Sequence, residues 1–228
     1  MSEWWTYRLS DFLLFSPRAY YRLVEIYNRE IWPLQLPLFA IGCSLFALVR
    51  RRDLFAARLV AAMLAAAWLW VGIGFEWRQF AQINWFATYV AGGFVLQAAL
   101  LIWIGVIKGR LSFGQVGRAR TALGNGLILL GVIGYPILDL AFGRGVAGIG
   151  TFGSMPDPTV AATLGVLFLS SGKPRWILLL IPILSSLLSG AMLYAMQAPD
   201  WWVALVVAGM GVGAVFRRST PASESHIR

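Results

Sequence analysis

Residues 85–107 read WFATYVAGGFVLQAALLIWIGVI, an uninterrupted run without a charge, bounded by Asn84 and Lys108. Coiled as an α-helix at 1.5 Å per residue, the run is about 34 Å long, enough to cross the roughly 30 Å of hydrocarbon in a bilayer. Six further apolar segments flank it, at 31–49, 56–74, 121–142, 158–171, 176–196 and 201–216. The pattern predicts an all-α fold: a polytopic transmembrane helical bundle of about seven segments. Five of these are long enough to span, whereas 158–171 and 201–216 fall short.

Composition agrees. The hydrophobic set makes up 59% of the 228 residues and charged residues only 13%, against about a quarter charged in soluble domains. The net charge of +9 does not form a stripe for nucleic acid, and none is expected as a partner. Basic residues instead gather in the loops 50–58, 108–120 and 172–175 and in the tail after Phe216, which hold 13 of the 19. By the positive-inside rule these loops are cytoplasmic, giving an outside N-terminus and an inside C-terminus in a bacterial inner membrane. Most carboxylates lie toward the opposite side, including Glu76, Asp139, Asp157 and Asp200. Their gathering there is either charge balance or a cation-attracting vestibule.

Three parts are expected: an outer-face helical segment over 1–32, a transmembrane domain over 33–216 and a disordered tail over 217–228. The start of the chain lacks a basic n-region and a cleavage site, so no signal peptide is expected. Ser16-Pro17 reads as a helix start. Beyond it, Arg18, Arg22, Glu25 and Arg29 oppose an apolar stripe of Tyr20, Leu23, Val24, Tyr27 and Ile31. Such an amphipathic helix is expected in the outer membrane interface, anchored by Trp4, Trp5 and Trp32, or closed over the outer mouth of the bundle as a lid, two placements that are compatible with each other.

Catalytic and metal chemistry find little support. Cys43 is the sole cysteine and His226 the sole histidine, in the polar tail, so neither a resident cofactor nor a metal site is expected. The glycine string in GRGVAGIGTFG (143–153) follows a membrane helix rather than a strand, which removes the dinucleotide reading. Ser185, Ser186 and Ser189 have no base to activate them and read as small-residue packing. No catalytic residue is assigned and no enzyme is expected.

The candidate polar site consists of Asp139, Arg144, Asp157, Asn84 and Gln97. Ionisable groups in apolar segments are expensive and are functional candidates by default. Asp139, near the outer end of the fourth segment, is either a local ion pair with Arg144 or a ligand facing an outward cavity. Asn84 is placed to cap the third segment, and Gln97 to bond a neighbouring helix. The short helix at 158–171, preceded by a glycine-rich stretch, has the character of a broken helix around a membrane binding site. Asp157 is expected as its N-cap, with Pro158 at the first helical position.

Several motifs point to one family. EWWTYRLSDFLLFSPRAYYRLVEIYNREIWP (3–33), INW (83–85) with Gln97 beyond it, and TFGSMPDPT (151–159) resemble the domain of unknown function 6064 family of bacterial multi-pass membrane proteins. The resemblance implies an inner-membrane protein of about seven segments. Members commonly carry cysteine between the two prolines where this chain has Asp157, so no thiol or soft-metal role is expected here. The leading functional expectation is a small transporter or permease-like protein, with a cation, proton or small solute as substrate and the bilayer as surroundings. The alternative is a non-catalytic accessory or sensory protein docking a protein partner through its N-terminal helix.

Overall fold

A computed structural model describes residues 15–171 and 176–216. Trp4 and Trp5, the basic pair Lys173 and Arg175, and the tail with His226 lie outside the described residues. Within them the chain is helical throughout, and its sole β-type pairing is an isolated bridge between Phe113 and Ser170. The helices are α1 (Pro17–Glu30), α2 (Gln35–Leu48), α3 (Leu54–Trp70), α4 (Ala87–Leu101), α5 (Arg118–Leu129), α6 (Tyr135–Ala141), α7 (Pro156–Leu169), α8 (Trp176–Ala195) and α9 (Trp201–Phe216). Three continue as π-helical turns: α3 through Val71–Trp77, α4 through Ile102–Ile107, and α5 through Leu130–Gly134 into α6.

Four helical stretches are long and apolar enough to cross a membrane: Leu54–Gln82, Ala87–Ile107, Arg118–Ala141 and Trp176–Ala195. The first apolar segment is shorter than expected. Only Gln35–Leu48 of it is one helix, and it reaches spanning length only in combination with α1, from which it bends by 93°. Pro33 lies at that bend, and without an N–H it cannot extend the ladder of α1. The second segment is longer than expected, because the helical path runs past residue 74 to Gln82.

The short helix α7 is the centre of the bundle. Every residue from Pro158 to Leu169 is buried, as an apolar helix without a polar face requires. Backbones approach closely around it: a Cβ on Gly165 would come within 2.6 Å of the Gly124 carbonyl oxygen on α5, the small-residue packing of membrane helices. At about 21 Å long, α7 leaves irregular backbone at both ends, and other parts of the chain supply partners for it. At its C-terminus the orphan carbonyls of Phe168 and Ser170 each accept from Arg120 Nη2 at 2.8 Å. The N–H of Ser171 donates to the Ser112 carbonyl at 2.8 Å. At its N-terminus the stretch 148–155 is largely buried, so the second half of the glycine-rich loop runs within the protein, whereas Gly143, Gly145 and Val146 are exposed.

Helix α1 covers that loop. Its stripe residues Tyr20, Val24 and Tyr27 are buried, and Leu23 and Ile31 pack against the core. Asn28 Nδ2 donates to the carbonyls of Ala147 and Ile149 at 2.8 and 2.9 Å, and the Tyr27 hydroxyl donates to the Ser154 carbonyl at 3.3 Å. Of the two expected placements, the lid over the bundle is the one these contacts describe.

Candidate functional site

The start of α7 brings Asp139, Arg144, Asp157 and Asn84 around two adjoining cavities but leaves Gln97 apart, and Asp157 takes a different place from the one expected. Pro156, not Pro158, occupies the first helical position, and Met155 is the N-cap. Asp157 is therefore the second residue of the helix rather than its cap. Among the described residues no side chain caps the helix; Thr159 Oγ1 instead ties the preceding loop to it, accepting from the Gly153 N–H at 2.9 Å and donating to the Met155 carbonyl at 2.7 Å. Gly153 has φ +79°, a left-handed conformation that favours glycine. The Asp157 carboxylate points across to α8 and accepts from Ser189 Oγ at 2.8 Å. Its place in the first turn also puts it in the favourable field of the helix dipole.

Two cavities meet at Asp157. The larger, about 260 Å³, lies between α1, the extension of α3, the start of α4, and helices α7 and α8. Glu76, Asn84, Asp157, Ser185 and Ser189 provide its polar lining, and Tyr20, Phe75, Phe80 and Phe86 its aromatic walls. The smaller, about 40 Å³, is bordered by Tyr20, Asp139, Arg144, Asp157 and Asp200, with space for a few waters. Tyr20, Pro156 and Asp157 form the partition between them.

Asp139 and Arg144 form the expected ion pair, but within a larger network. Arg144 Nη1 donates to Asp139 Oδ1, and Arg144 Nη2 donates to Asp200 Oδ1 at 2.6 Å. Its guanidinium also lies 5.1 Å from the centre of the Tyr21 ring. Asp139 Oδ2 accepts from the Gly150 N–H at 2.6 Å. Burial opposes the Arg144 charge, but Asp139 and Asp200 outweigh it and hold the guanidinium above its ordinary range. The network fastens the end of α6, the start of α9 and the lid helix, and Arg144 is the one cationic side chain lining the smaller cavity among the described residues.

Glu76 is in a different situation. It is 4% exposed, and its Oε2 has no hydrogen-bond partner among the described residues. Among the described residues no lysine or arginine lines the larger cavity. A buried carboxylate without a partner is costly, which sets Glu76 apart from the paired Asp139 and Asp200. Glu76 is carried on the π-helical turn Val71–Trp77, a type of irregularity frequent at functional sites. Its signal in the sequence is the i, i+4 row Trp68–Gly72–Glu76, whose three members are all buried; ending the segment at residue 74 concealed it. Asp200 gave less signal, because it sits in a short loop and meets Arg144 only through the fold.

Asn84 is not the expected cap of the third segment: α4 starts at Ala87 with Phe86 at the N-cap, and Asn84 lines the larger cavity while its Oδ1 accepts from the Phe86 N–H at 3.2 Å, tightening the turn before the helix. Gln97 lines neither cavity. It is fully buried, and its Nε2 donates to the Leu178 carbonyl at 3.0 Å. That carbonyl lacks its usual helical donor because the residue four positions on is Pro182, inside α8. Gln97 thus repairs the backbone of α8. Gln97→Leu is expected to destabilise the protein by about 1–3 kcal/mol through the orphaned carbonyl, and adding Pro182→Ala should recover part of the loss. Thermal unfolding of the single and double variants in detergent measures both; equal losses in the two would refute the repair role.

The family model described as a family of unknown function (DUF6064) matches residues 18–225, and the chain belongs to that family. No curated protein and no solved structure shows significant similarity to it.

Proposed function

We propose that this member of the family is an inner-membrane permease-like protein whose outward-facing cavity takes up a proton or a cation at Glu76 and Asp157. Insertion in a bilayer is supported by large apolar side chains on the outside of the bundle, among them Phe55, Tyr89 and Leu184. Exposed tryptophans stand near both ends: Trp32, Trp77 and Trp85 at one, Trp103 and Trp176 at the other, as interfacial anchors do. In this reading all seven apolar segments contribute to the membrane domain, with α7 as its broken central element. The lid, both cavities and the acidic groups face outside, and the arginine-rich loops face the cytoplasm.

The observation that carries the reading is the buried Glu76 carboxylate, which shares a cavity with a second carboxylate and has neither a hydrogen-bond partner nor a cationic side chain in the cavity lining among the described residues. A purely structural carboxylate at this depth would be paired, as Asp139 and Asp200 are. The stripe of α1, which a docking helix would present to a partner, is already used by the chain's own bundle. Uptake of a panel of labelled monovalent cations into proteoliposomes under an imposed pH gradient tests the proposal. Wild-type protein is expected to exceed protein-free vesicles for at least one cation, with Glu76→Gln reducing that uptake to background. Wild-type uptake retained by both Glu76→Gln and Asp157→Asn would overturn it.

A further inference from the structure

The walls of the larger cavity carry information about which cation fits. An alkali or alkaline-earth ion gives up a tightly held hydration shell and needs about six or more oxygens in return. The polar lining cannot readily supply them, since Asp157 and Ser189 are already bonded to each other and Asn84 Oδ1 holds its own turn. Most of the remaining surface is apolar or aromatic. A cavity of about 260 Å³ is also much larger than a bare ion requires.

Resting on the reading of the cavity as a cation site, we propose that its ligand is an organic ammonium ion with a small apolar body. Such a cation is weakly hydrated and loses little on entry. Its charge is met by Glu76 and Asp157, and its alkyl groups are met by aromatic rings, which attract cations through their quadrupoles. The aromatic wall is built in advance. Phe80 packs edge-on to Tyr20 at 5.4 Å and stacks with Phe75 at 6.0 Å, while Phe75 leans on Tyr27 at 5.4 Å. A wall locked in this way spends little entropy on binding. The rim is apolar as well: Phe86 on the approach to α4 and Leu188 on α8 are 42% and 41% exposed. An amphiphilic cation can pass that rim, whereas a strongly hydrated ion gains nothing from it.

Equilibrium binding of radiolabelled tetraethylammonium to the purified full chain in nanodiscs tests this, with labelled Na+ and K+ measured in parallel. The expected result is saturable tetraethylammonium binding that survives excess Na+ and K+ and is lost in Glu76→Gln. Phe80→Leu should weaken it by roughly three- to tenfold, the scale of one cation–π contact. Phe86→Leu, at the exposed rim, serves as the second ring-removal variant if Phe80→Leu does not fold. Glu76-dependent binding of Na+ or K+ without tetraethylammonium binding would overturn the ammonium assignment and leave the cation-site reading intact. No Glu76-dependent binding of any of the three cations, with no Glu76-dependent proton release, would overturn both. Tetraethylammonium binding indifferent to Glu76→Gln and to ring removal would mark partition into lipid and also overturn the assignment.

Discussion

Arg144→Met is expected to destabilise the protein by about 3–5 kcal/mol, the cost of breaking a buried ion pair from one side. Asp139 and Asp200 are each 3% exposed, and Arg144 is the cation bridging them. Methionine keeps much of the arginine's length but leaves two carboxylates facing each other with little water. Asp139 would retain the Gly150 N–H, which cannot neutralise a charge. Arg144→Lys should lose less than methionine but still lose, because an ammonium lacks the planar fork that reaches both partners. Removing the charges together, as Arg144→Met with Asp139→Asn and Asp200→Asn, should recover most of the stability. Unfolding midpoints of the purified variants provide the measurement. A single-variant loss well under about 1 kcal/mol would mean that the network behaves like a solvent-screened surface pair.

Glu76→Gln is expected to act in the opposite direction, raising stability by about 1–3 kcal/mol while abolishing cation uptake. Without ligand, the wild-type protein carries the desolvation cost of a carboxylate whose Oε2 is unpartnered among the described residues; a neutral amide lowers that cost. A bound cation should stabilise the wild type by mass action and leave the variant unmoved. Thermal unfolding with and without tetraethylammonium therefore separates the two roles of the residue. If Glu76→Gln lowers the midpoint instead, the carboxylate is part of a structural pair and its place in a binding site is refuted. The contrast with Arg144 is the useful one: two acidic clusters a short distance apart, one closed by an internal cation and one left open.

Much of the helical layout was legible from the one-dimensional pattern, because a long apolar run has few ways to satisfy its backbone outside a helix. The ends of α7, α8 and α9 fell within two residues of the expected bounds. The N-terminal stripe was legible too, since Tyr20, Val24 and Tyr27 recur at helical spacing, although its partner was not. The site was only half visible. Asp139, Arg144 and Asp157 stood out as charges among apolar residues, and Arg144 was the near partner of Asp139. Their division between two cavities depends on contacts made by residues far apart in the chain, such as Ser189 with Asp157. Glu76 was obscured by a local effect. A helix read only by hydropathy ends where charges begin, but this one continues through a π-helical turn because its next buried face packs on the lid and α4.

Composition, run length and the placement of arginines thus determined by themselves that the chain is helical and which ends of the segments carry which charge, because these follow from transfer free energy alone. Tertiary structure decided which charges are spent and which are free. Arg144 could have paired with any carboxylate at its end of the bundle; only packing placed Asp139 and Asp200 within its reach and Glu76 beyond it. Asp157, which local sequence assigned to a helix cap, stands instead at the second helical position behind Met155 and accepts from Ser189 beside a cavity. Burial depth and unpaired charge belong to the assembled fold, since a residue's neighbours across helices are not encoded at any fixed spacing along the chain.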